Sequence, residues 1–198
     1  MGTTTVNLAG TDLPWQLPSR GRVGMFSLIA AEAAIFIIFV VAYLFYAGKS
    51  LTGPMPKDVL RTPVFYTVCL LSSSLTIHFA TRGIRQGRIS DFRNWWSGTI
   101  ALGATFLYGT ATEWYRLIFK DGLTIRTNLF GTTYYSLVGL HAFHVTVGLV
   151  LLSAVWAFVF LGYLKQEHTY RLDVLSLYWH FVDAVWVVVF TVVYVIGR

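Results

Sequence analysis

Five long apolar segments constrain this chain more than any other feature. They cover 23–46, 64–82, 95–115, 129–163 and 174–197, with short polar loops between them. A helix needs about 20 apolar residues to cross the hydrocarbon core of a bilayer. Lipid offers the backbone no hydrogen-bond partners, so a spanning segment must be a helix or part of a closed barrel, and the alternating pattern of a barrel is absent. The sequence predicts an all-α polytopic membrane protein, a bundle of five transmembrane helices.

The composition agrees with a membrane protein. Hydrophobic residues make up 56% of the chain and charged residues only 12%, whereas a soluble domain carries about 25% charged residues. The predicted organisation is a polar N-terminal segment at 1–22 followed by a single transmembrane domain at 23–198. The polar segment 1–22 lacks the apolar core of a cleavable signal peptide, so we expect the first span to stay in the mature protein. The single cysteine, Cys69, excludes an intramolecular disulfide and a multi-cysteine metal site.

The basic residues bear on topology rather than on nucleic acid. The formal net charge is +6, but the lysines and arginines lie in short loops, where they contact lipid head groups and set the orientation. Eight of them fall on the side of the N-terminus and seven on the other side. Four arginines in one short loop (Arg82, Arg85, Arg88 and Arg93) favour an N-terminus inside and a C-terminus outside. No nucleic-acid partner is expected.

Five ionisable residues interrupt the apolar segments at similar depth. Counted at 1.5 Å per residue, Glu32 lies about 14 Å into its span, and His180 and Asp183 lie about 9 and 14 Å in from the same side. His141 and His144 lie about 18 and 22 Å in from the opposite side. Residues three apart share one helix face, so each of the two pairs looks in a single direction.

Three interpretations of these five residues remain open. Three imidazoles and two carboxylates could ligate zinc, a di-iron centre or heme iron, as in an intramembrane metalloenzyme. They could instead carry protons or ions in a small transporter. The third interpretation is an interhelical hydrogen-bonding network that fixes helix packing. This one is favoured, because a lone buried charge costs about 2.5–3.5 kcal/mol on insertion scales.

Other positions have simpler interpretations. Glu113 lies near a membrane interface, so we expect a solvated carboxylate or one paired with an arginine. Trp95-Trp96 is typical of an interfacial aromatic anchor. The small residues of the second and third segments predict close helix contact; they are Ser72, Ser73, Ser74, Thr76, Gly98, Ala101, Gly103, Ala104 and Thr105.

Four stretches together resemble subunit III of heme–copper respiratory oxidases. They are Tyr178-Trp179-His180-Phe181-Val182-Asp183-Ala184-Val185-Trp186, the helix Gly139-Leu140-His141-Ala142-Phe143-His144-Val145-Thr146-Val147-Gly148, Gly24-Met25 followed by Glu32, and Glu113-Trp114-Tyr115 shortly before Gly131. They occur in the family's order and cover nearly everything from Arg22 onward. The joint pattern is specific, although each stretch alone is weak.

The resemblance implies an accessory subunit without a catalytic site of its own. Such a subunit binds no heme or copper, which belong to the partner subunit. It packs beside oxidase subunits I and II, supports proton uptake, holds structural phospholipid and can belong to a larger respiratory supercomplex. The expected polar or lipid-adjacent residues are Glu32, Glu113, His141, His144, His180 and Asp183, without metal. The location would be a bacterial-type inner (plasma) membrane.

The resemblance leaves the complex open. Cytochrome c oxidase, quinol oxidase and a nitric-oxide reductase complex all have subunit III-like proteins. The mitochondrial form has seven spans, and the first helix pair, which forms one wall of the lipid cleft, has no counterpart among the five segments predicted here.

Overall fold

The computed structural model describes residues 20–50, 52–162 and 169–197. Within these ranges the chain forms six α-helices and no strand. They are α1 (Arg20–Tyr46), α2 (Pro56–Val59), α3 (Val64–Arg85), α4 (Ile89–Phe119), α5 (Leu129–Phe160) and α6 (Thr169–Phe190), and α6 continues into a π-helical turn (Thr191–Ile196). The predicted all-α class is confirmed. Most of the predicted polar segment 1–22 lies outside the described residues.

Four helices are long and apolar enough to cross a membrane. They are Gly21–Tyr46, Val64–Arg85, Leu129–Phe160 and Thr169–Ile196. The chain is therefore a multi-pass membrane protein by length and composition. The predicted third span corresponds to α4, whose 31 residues would extend about 46 Å at 1.5 Å per residue. Its composition is less apolar than that of the four, because threonines and glycines occupy much of its middle, so the count of five spans stays a prediction.

Helix α6 lies at the centre of the bundle. It packs against α1, α3 and α5, while α4 packs mainly against α3 and also against α5. Of the four apolar helices, α6 is the most buried in the bundle and α1 the least. The stretch around His180 and Asp183 therefore meets three other helices, which explains why a polar pair can be placed there.

The helices approach closely where glycines face tryptophans. A Cβ atom at Gly103 or Gly148 would lie 2.9 or 2.8 Å from the ring of Trp179, so α4 and α5 accept this ring only because both positions lack a side chain. The indole Nε1 of Trp179 donates to Ser73 Oγ at 2.8 Å. Thr76 and Thr99 join α3 to α4 through their hydroxyls, 2.8 Å apart. The predicted close contact through small residues is confirmed at Ser73, Thr76 and Gly103.

The predicted aromatic anchor is half wrong. Trp95 is largely exposed, but Trp96 is fully buried, and its Nε1 donates to the carbonyl of Leu152 at 2.9 Å. Successive residues of a helix point about 100° apart, so only one member of an adjacent pair can face the membrane. Trp96 is a packing residue between α4 and α5.

Candidate functional site

The first polar cluster joins α1 to α5. His144 Nε2 lies 3.1 Å from Glu32 Oε2, and His144 Nδ1 donates to the carbonyl of Leu140 at 2.7 Å. The imidazole is nearly buried, whereas the Glu32 side chain keeps 24% of its surface exposed. By counted depth Glu32 lies closer to His141 than to His144, but the structure pairs it with His144.

The hydrogen bonds of His144 determine the proton count of this pair. A backbone carbonyl can only accept, so Nδ1 carries a hydrogen, and Nε2 is either bare or also protonated. A hydrogen bond between Nε2 and Oε2 then needs one shared proton, which belongs either to an imidazolium facing a carboxylate or to a carboxylic acid facing a neutral ring. Both forms carry no net charge. The pair can therefore shift one proton between two atoms without changing its total charge in the membrane.

The second polar cluster joins α3 to α6. The hydroxyl of Ser74 donates to Asp183 Oδ2 and lies 3.0 Å from His180 Nδ1. Asp183 is only 3% exposed, and its other oxygen, Oδ1, has no hydrogen-bond partner among the described residues. As the spacing of three residues predicts, His180 and Asp183 look the same way. Their common partner is a serine of α3 rather than a histidine of α5.

His141 lies apart from both clusters. It is fully buried, and neither ring nitrogen has a hydrogen-bond partner within the described part of the chain. Its ring centroid lies 4.9 Å from Trp186 and 5.8 Å from Phe106, with Phe36 farther away. The expectation of one network that includes all five residues is therefore wrong in its geometry. His141, three positions before His144, lies about 60° away from it around the helix axis. The rings of Trp186, Phe106 and Phe36 surround His141 on that side.

Glu113 belongs to a third cluster. Its Oε2 accepts a hydrogen bond from the hydroxyl of Tyr194 at 3.1 Å, and the Tyr194 and Tyr134 hydroxyls lie 3.4 Å apart. The neighbouring Arg116 binds Asp121 and the carbonyl of Val59 instead. The predicted solvated or arginine-paired carboxylate is thus corrected to a tyrosine-bonded one. The cause is the π-helical turn, which carries Tyr194 into the bundle.

The clusters do not converge on a metal centre. Among the described residues, no group of three or more histidine, cysteine, aspartate or glutamate side chains is arranged to hold a metal ion. Each carboxylate instead has its own polar partner on a different helix. What the arrangement can do chemically is to fix helices against each other and, at Glu32 and His144, to hold a proton.

Comparison with known proteins now decides the family. The family model for cytochrome c oxidase subunit III matches residues 18–198. The chain belongs to the cytochrome c oxidase subunit III family. It is similar to cytochrome c oxidase subunit 3 of Thermostichus vulcanus, with 33% identity over 98% of both chains. It is also similar to cytochrome c oxidase subunit 3 of a Synechocystis strain, with 36% identity over 90% of this chain and 77% of that protein.

Subunit III relatives occur in more than one kind of oxidase. Subunit 3 of the cytochrome bo(3) ubiquinol oxidase of Pseudomonas aeruginosa is 31% identical over 88% of this chain and 84% of its own length. The resemblance stated from the four stretches is confirmed. Membership in this family and the four apolar helices together indicate a protein of the bacterial plasma membrane that associates with other oxidase subunits.

Sequence reasoning missed two partners within the clusters. Ser74 was expected only as a small packing residue, and Tyr194 was not singled out. A hydroxyl at the depth of Asp183 on a neighbouring span was the available signal for Ser74. No such signal existed for Tyr194. Its side chain points in a different direction in the π-helical turn than it would in a regular α-helix, and the sequence does not indicate the turn.

Proposed function

We propose that this chain is a non-catalytic accessory subunit of a proton-pumping heme–copper terminal oxidase in aerobic respiration. It stabilises the catalytic subunit and supports its proton uptake. Its partners are oxidase subunits I and II and membrane phospholipids, within a larger respiratory supercomplex where one forms. Heme and copper reside in the partner subunits, and this chain supplies no ligand to them.

The Glu32–His144 pair carries the proton-uptake part of this proposal. It is the one carboxylate–imidazole contact in the described residues, and its acid is partly exposed on α1, the least buried of the four apolar helices. A group that faces outward can exchange a proton with water or with a neighbouring subunit. The buried imidazole keeps the acid in place through the Leu140 carbonyl.

The Asp183 cluster supports the stabilising part. A buried carboxylate held by a serine of a neighbouring helix fixes the rotation of α6 relative to α3. Because α6 contacts three other helices, this cluster influences the shape of the whole bundle that a catalytic subunit would meet.

The proposed topology has five spans. Helix α4 supplies the additional one, with Gly98, Thr99 and Gly109 facing α3 and its length exceeding the hydrocarbon core of about 30 Å. With five spans the termini lie on opposite sides, with the N-terminus inside and the C-terminus outside. Single cysteines introduced at Gly87 and Gly122, at the two ends of α4, should react with an impermeant thiol reagent from opposite sides of the membrane. Labelling of both from one side would remove α4 from the spans.

The electron donor has two candidates. Relatives named as cytochrome c oxidase subunit 3 and a relative named as a subunit of a ubiquinol oxidase both match over most of the chain. We propose a complex that takes its electrons from cytochrome c or from quinol. A nitric-oxide reductase complex is the alternative to an oxidase.

The proton-uptake role is tested in the assembled complex in vesicles. Glu32→Gln keeps the shape of the side chain but removes the charge, so it should slow steady proton uptake while the heme absorption spectrum stays unchanged. Glu113→Gln is the matched control, because Glu113 lies in a different cluster. Equal proton uptake in wild type and Glu32→Gln, with both complexes intact, would contradict the role.

A metalloenzyme remains the competing class of function. The isolated chain, washed with chelator, should hold no stoichiometric iron, copper or zinc. Metal that survives washing and disappears in His144→Ala or His180→Ala would favour the metalloenzyme over the accessory subunit.

A further inference from the structure

A small, largely enclosed cavity of about 20 Å³ lies where the C-terminal end of α1 meets the first turn of α5. Its wall includes Tyr43 of α1, Gly48 and Ser50 of the following loop, Phe130 of α5, and Gly197 behind the π-helical turn. The cavity shares no residue with the three polar clusters. It therefore belongs to a part of the bundle that the proposed function does not use.

Tyr43 buries its hydroxyl at this cavity. The residue is only 2% exposed, and its hydroxyl has no hydrogen-bond partner among the described residues. A Cβ atom at Gly197 would lie 2.8 Å from the hydroxyl oxygen, so this oxygen lies beside a residue of the cavity wall. Buried polar groups nearly always have a partner, since losing hydration without one is costly. The Tyr43 hydroxyl therefore points to a polar ligand in the cavity.

Ser50 supplies a second polar group. Its Oγ accepts a hydrogen bond from the backbone N–H of Phe130 at 3.0 Å, which satisfies one of the amides that the first turn of a helix leaves without a partner. A serine hydroxyl both donates and accepts, so this bond uses an acceptor site and leaves the O–H hydrogen for a further partner. Gly48 has no side chain, so it contributes only backbone to the wall.

The size and the polar groups of the cavity fit one water molecule. A buried water needs at least about 10–15 Å³ of such space and two to four polar partners. The two hydroxyls and the backbone of Gly48 provide partners in that number. No carboxylate lines the cavity, and Phe130 and Met55 contribute apolar surface, so it lacks the oxygen ligands that a hard metal cation requires.

We propose that this cavity binds one water molecule, which joins the hydroxyls of Tyr43 and Ser50. The water accepts a hydrogen bond from each hydroxyl and donates one to the backbone of the loop at Gly48. It connects α1 to the loop that follows and, through Ser50, to the first turn of α5. The proposal does not depend on the role of the chain in an oxidase.

The water also supports the C-terminal end of the bundle. The backbone N–H of Gly197 donates to the carbonyl of Val192 at 2.9 Å and ends the π-helical turn. Since Gly197 packs against the Tyr43 ring, a fixed Tyr43 hydroxyl holds the surface on which this turn ends. The same turn brings Tyr194 to Glu113.

The sign of one stability change tests the proposal. Tyr43→Phe removes the hydroxyl and keeps the ring. If the hydroxyl binds water, the variant loses a hydrogen bond, and its unfolding temperature should fall by about 3 °C. If the hydroxyl has no partner, its removal should leave the unfolding temperature unchanged or raise it, because an uncompensated buried polar group is gone. Thermal unfolding of the full chain in detergent distinguishes the two results.

Two other tyrosines provide reference values. The buried Tyr178 hydroxyl donates directly to the carbonyl of His144 at 3.3 Å, whereas Tyr108 is 67% exposed. Tyr178→Phe should lower the unfolding temperature, and Tyr108→Phe should leave it nearly unchanged. The proposal predicts that Tyr43→Phe resembles Tyr178→Phe, and a result like that of Tyr108→Phe would overturn it.

A double-mutant cycle tests whether Tyr43 and Ser50 share a ligand. Ser50→Ala alone should lower the stability, because the Phe130 amide loses its acceptor. With a common water, the effects of Tyr43→Phe and Ser50→Ala should be less than additive, whereas independent groups give additive effects. Additive effects would rule out a shared water.

A density map of the assembled complex provides the direct observation. At a resolution where other buried waters are visible, one peak should lie within hydrogen-bond distance of the Tyr43 and Ser50 hydroxyls. Absence of that peak would overturn the proposal. An unfolding temperature that changes between sodium and potassium chloride in wild type, but not in Tyr43→Phe, would assign the site to a cation instead of water.

Discussion

The first and second polar clusters each contain a carboxylate and an imidazole, but the group that is exposed differs between them. In the pair between α1 and α5 the carboxylate of Glu32 is partly exposed and the imidazole of His144 is buried. In the cluster between α3 and α6 the carboxylate of Asp183 is buried, and the imidazole of His180 faces a cavity. An exposed acid can exchange protons, whereas a buried acid held by Ser74 mainly fixes two helices. Under the proposed function, position in the bundle, and not residue type, would assign the role of each acid.

The contact between α5 and α6 lies between the two clusters, and Gly148 permits the close approach of these two helices. A Cβ atom at Gly148 would lie 2.8 Å from the Trp179 ring, which is itself fully buried. Gly148→Ala should lower the free energy of unfolding by about 3 kcal/mol, because the ring has no room to move. Thermal unfolding of the detergent-solubilised chain measures this. Gly24→Ala is the control, since nothing lies within 4 Å of its added Cβ, and equal effects of the two substitutions would contradict the packing.

Asp183→Ala tests the structural side of the comparison. It removes the acceptor of the Ser74 hydroxyl inside the bundle, so we expect a loss of about 2 kcal/mol in stability. Asp183→Asn keeps an acceptor oxygen and should lose less. The fraction of this chain retained in the complex, together with its unfolding temperature, is the measurement. A changed heme spectrum in a fully assembled complex would show that Asp183 acts on the redox site instead.

Glu32→Gln tests the other side. The amide can still accept or donate one hydrogen bond, so stability should fall by less than about 1 kcal/mol. The comparison therefore predicts that Glu32→Gln affects proton uptake more than stability, and that Asp183→Asn does the reverse. Stability and proton uptake should be measured on both variants. Equal losses of stability and equal losses of proton uptake in the two variants would refute the division of roles.

Thr76→Val probes the weakest of these contacts. The Thr76–Thr99 hydroxyl pair extends the α3 side of the second cluster to α4. Interhelical hydrogen bonds in membranes contribute about 0.6 kcal/mol on average, and we expect a coupling energy of that size from a double-mutant cycle with Thr99→Val. A coupling of zero would mean that packing alone holds α4 against α3.

Much of the fold follows from the sequence because lipid leaves few alternatives. The predicted start at 129 and the predicted end at 46 coincide with those of α5 and α1. Helix α4 begins at Ile89 rather than 95, because polar residues can continue a helix beyond the hydrocarbon core. The hydropathy of a segment marks where it enters lipid, not where its hydrogen bonds end.

The site was less predictable than the fold. Counting the rise per residue placed all five residues in one layer of the membrane, since depth is one coordinate that the sequence carries. It did not single out His144 over His141 as the partner of Glu32. The rotation of each helix about its axis could not be counted from the sequence. This rotation places Ser74 beside His180 and Asp183, and it places His141 among aromatic rings. Tyr194 reaches Glu113 through a π-helical turn, a backbone irregularity that hydrophobic periodicity does not indicate.

Purification of this chain from native membranes in mild detergent tests the central claim most directly. The account predicts that a larger heme-bearing subunit is recovered with it in fixed ratio, and that the absorption spectrum of the preparation is that of a heme–copper oxidase. Recovery of this chain alone, free of heme and unaffected by the detergent chosen, would contradict its role as an oxidase subunit.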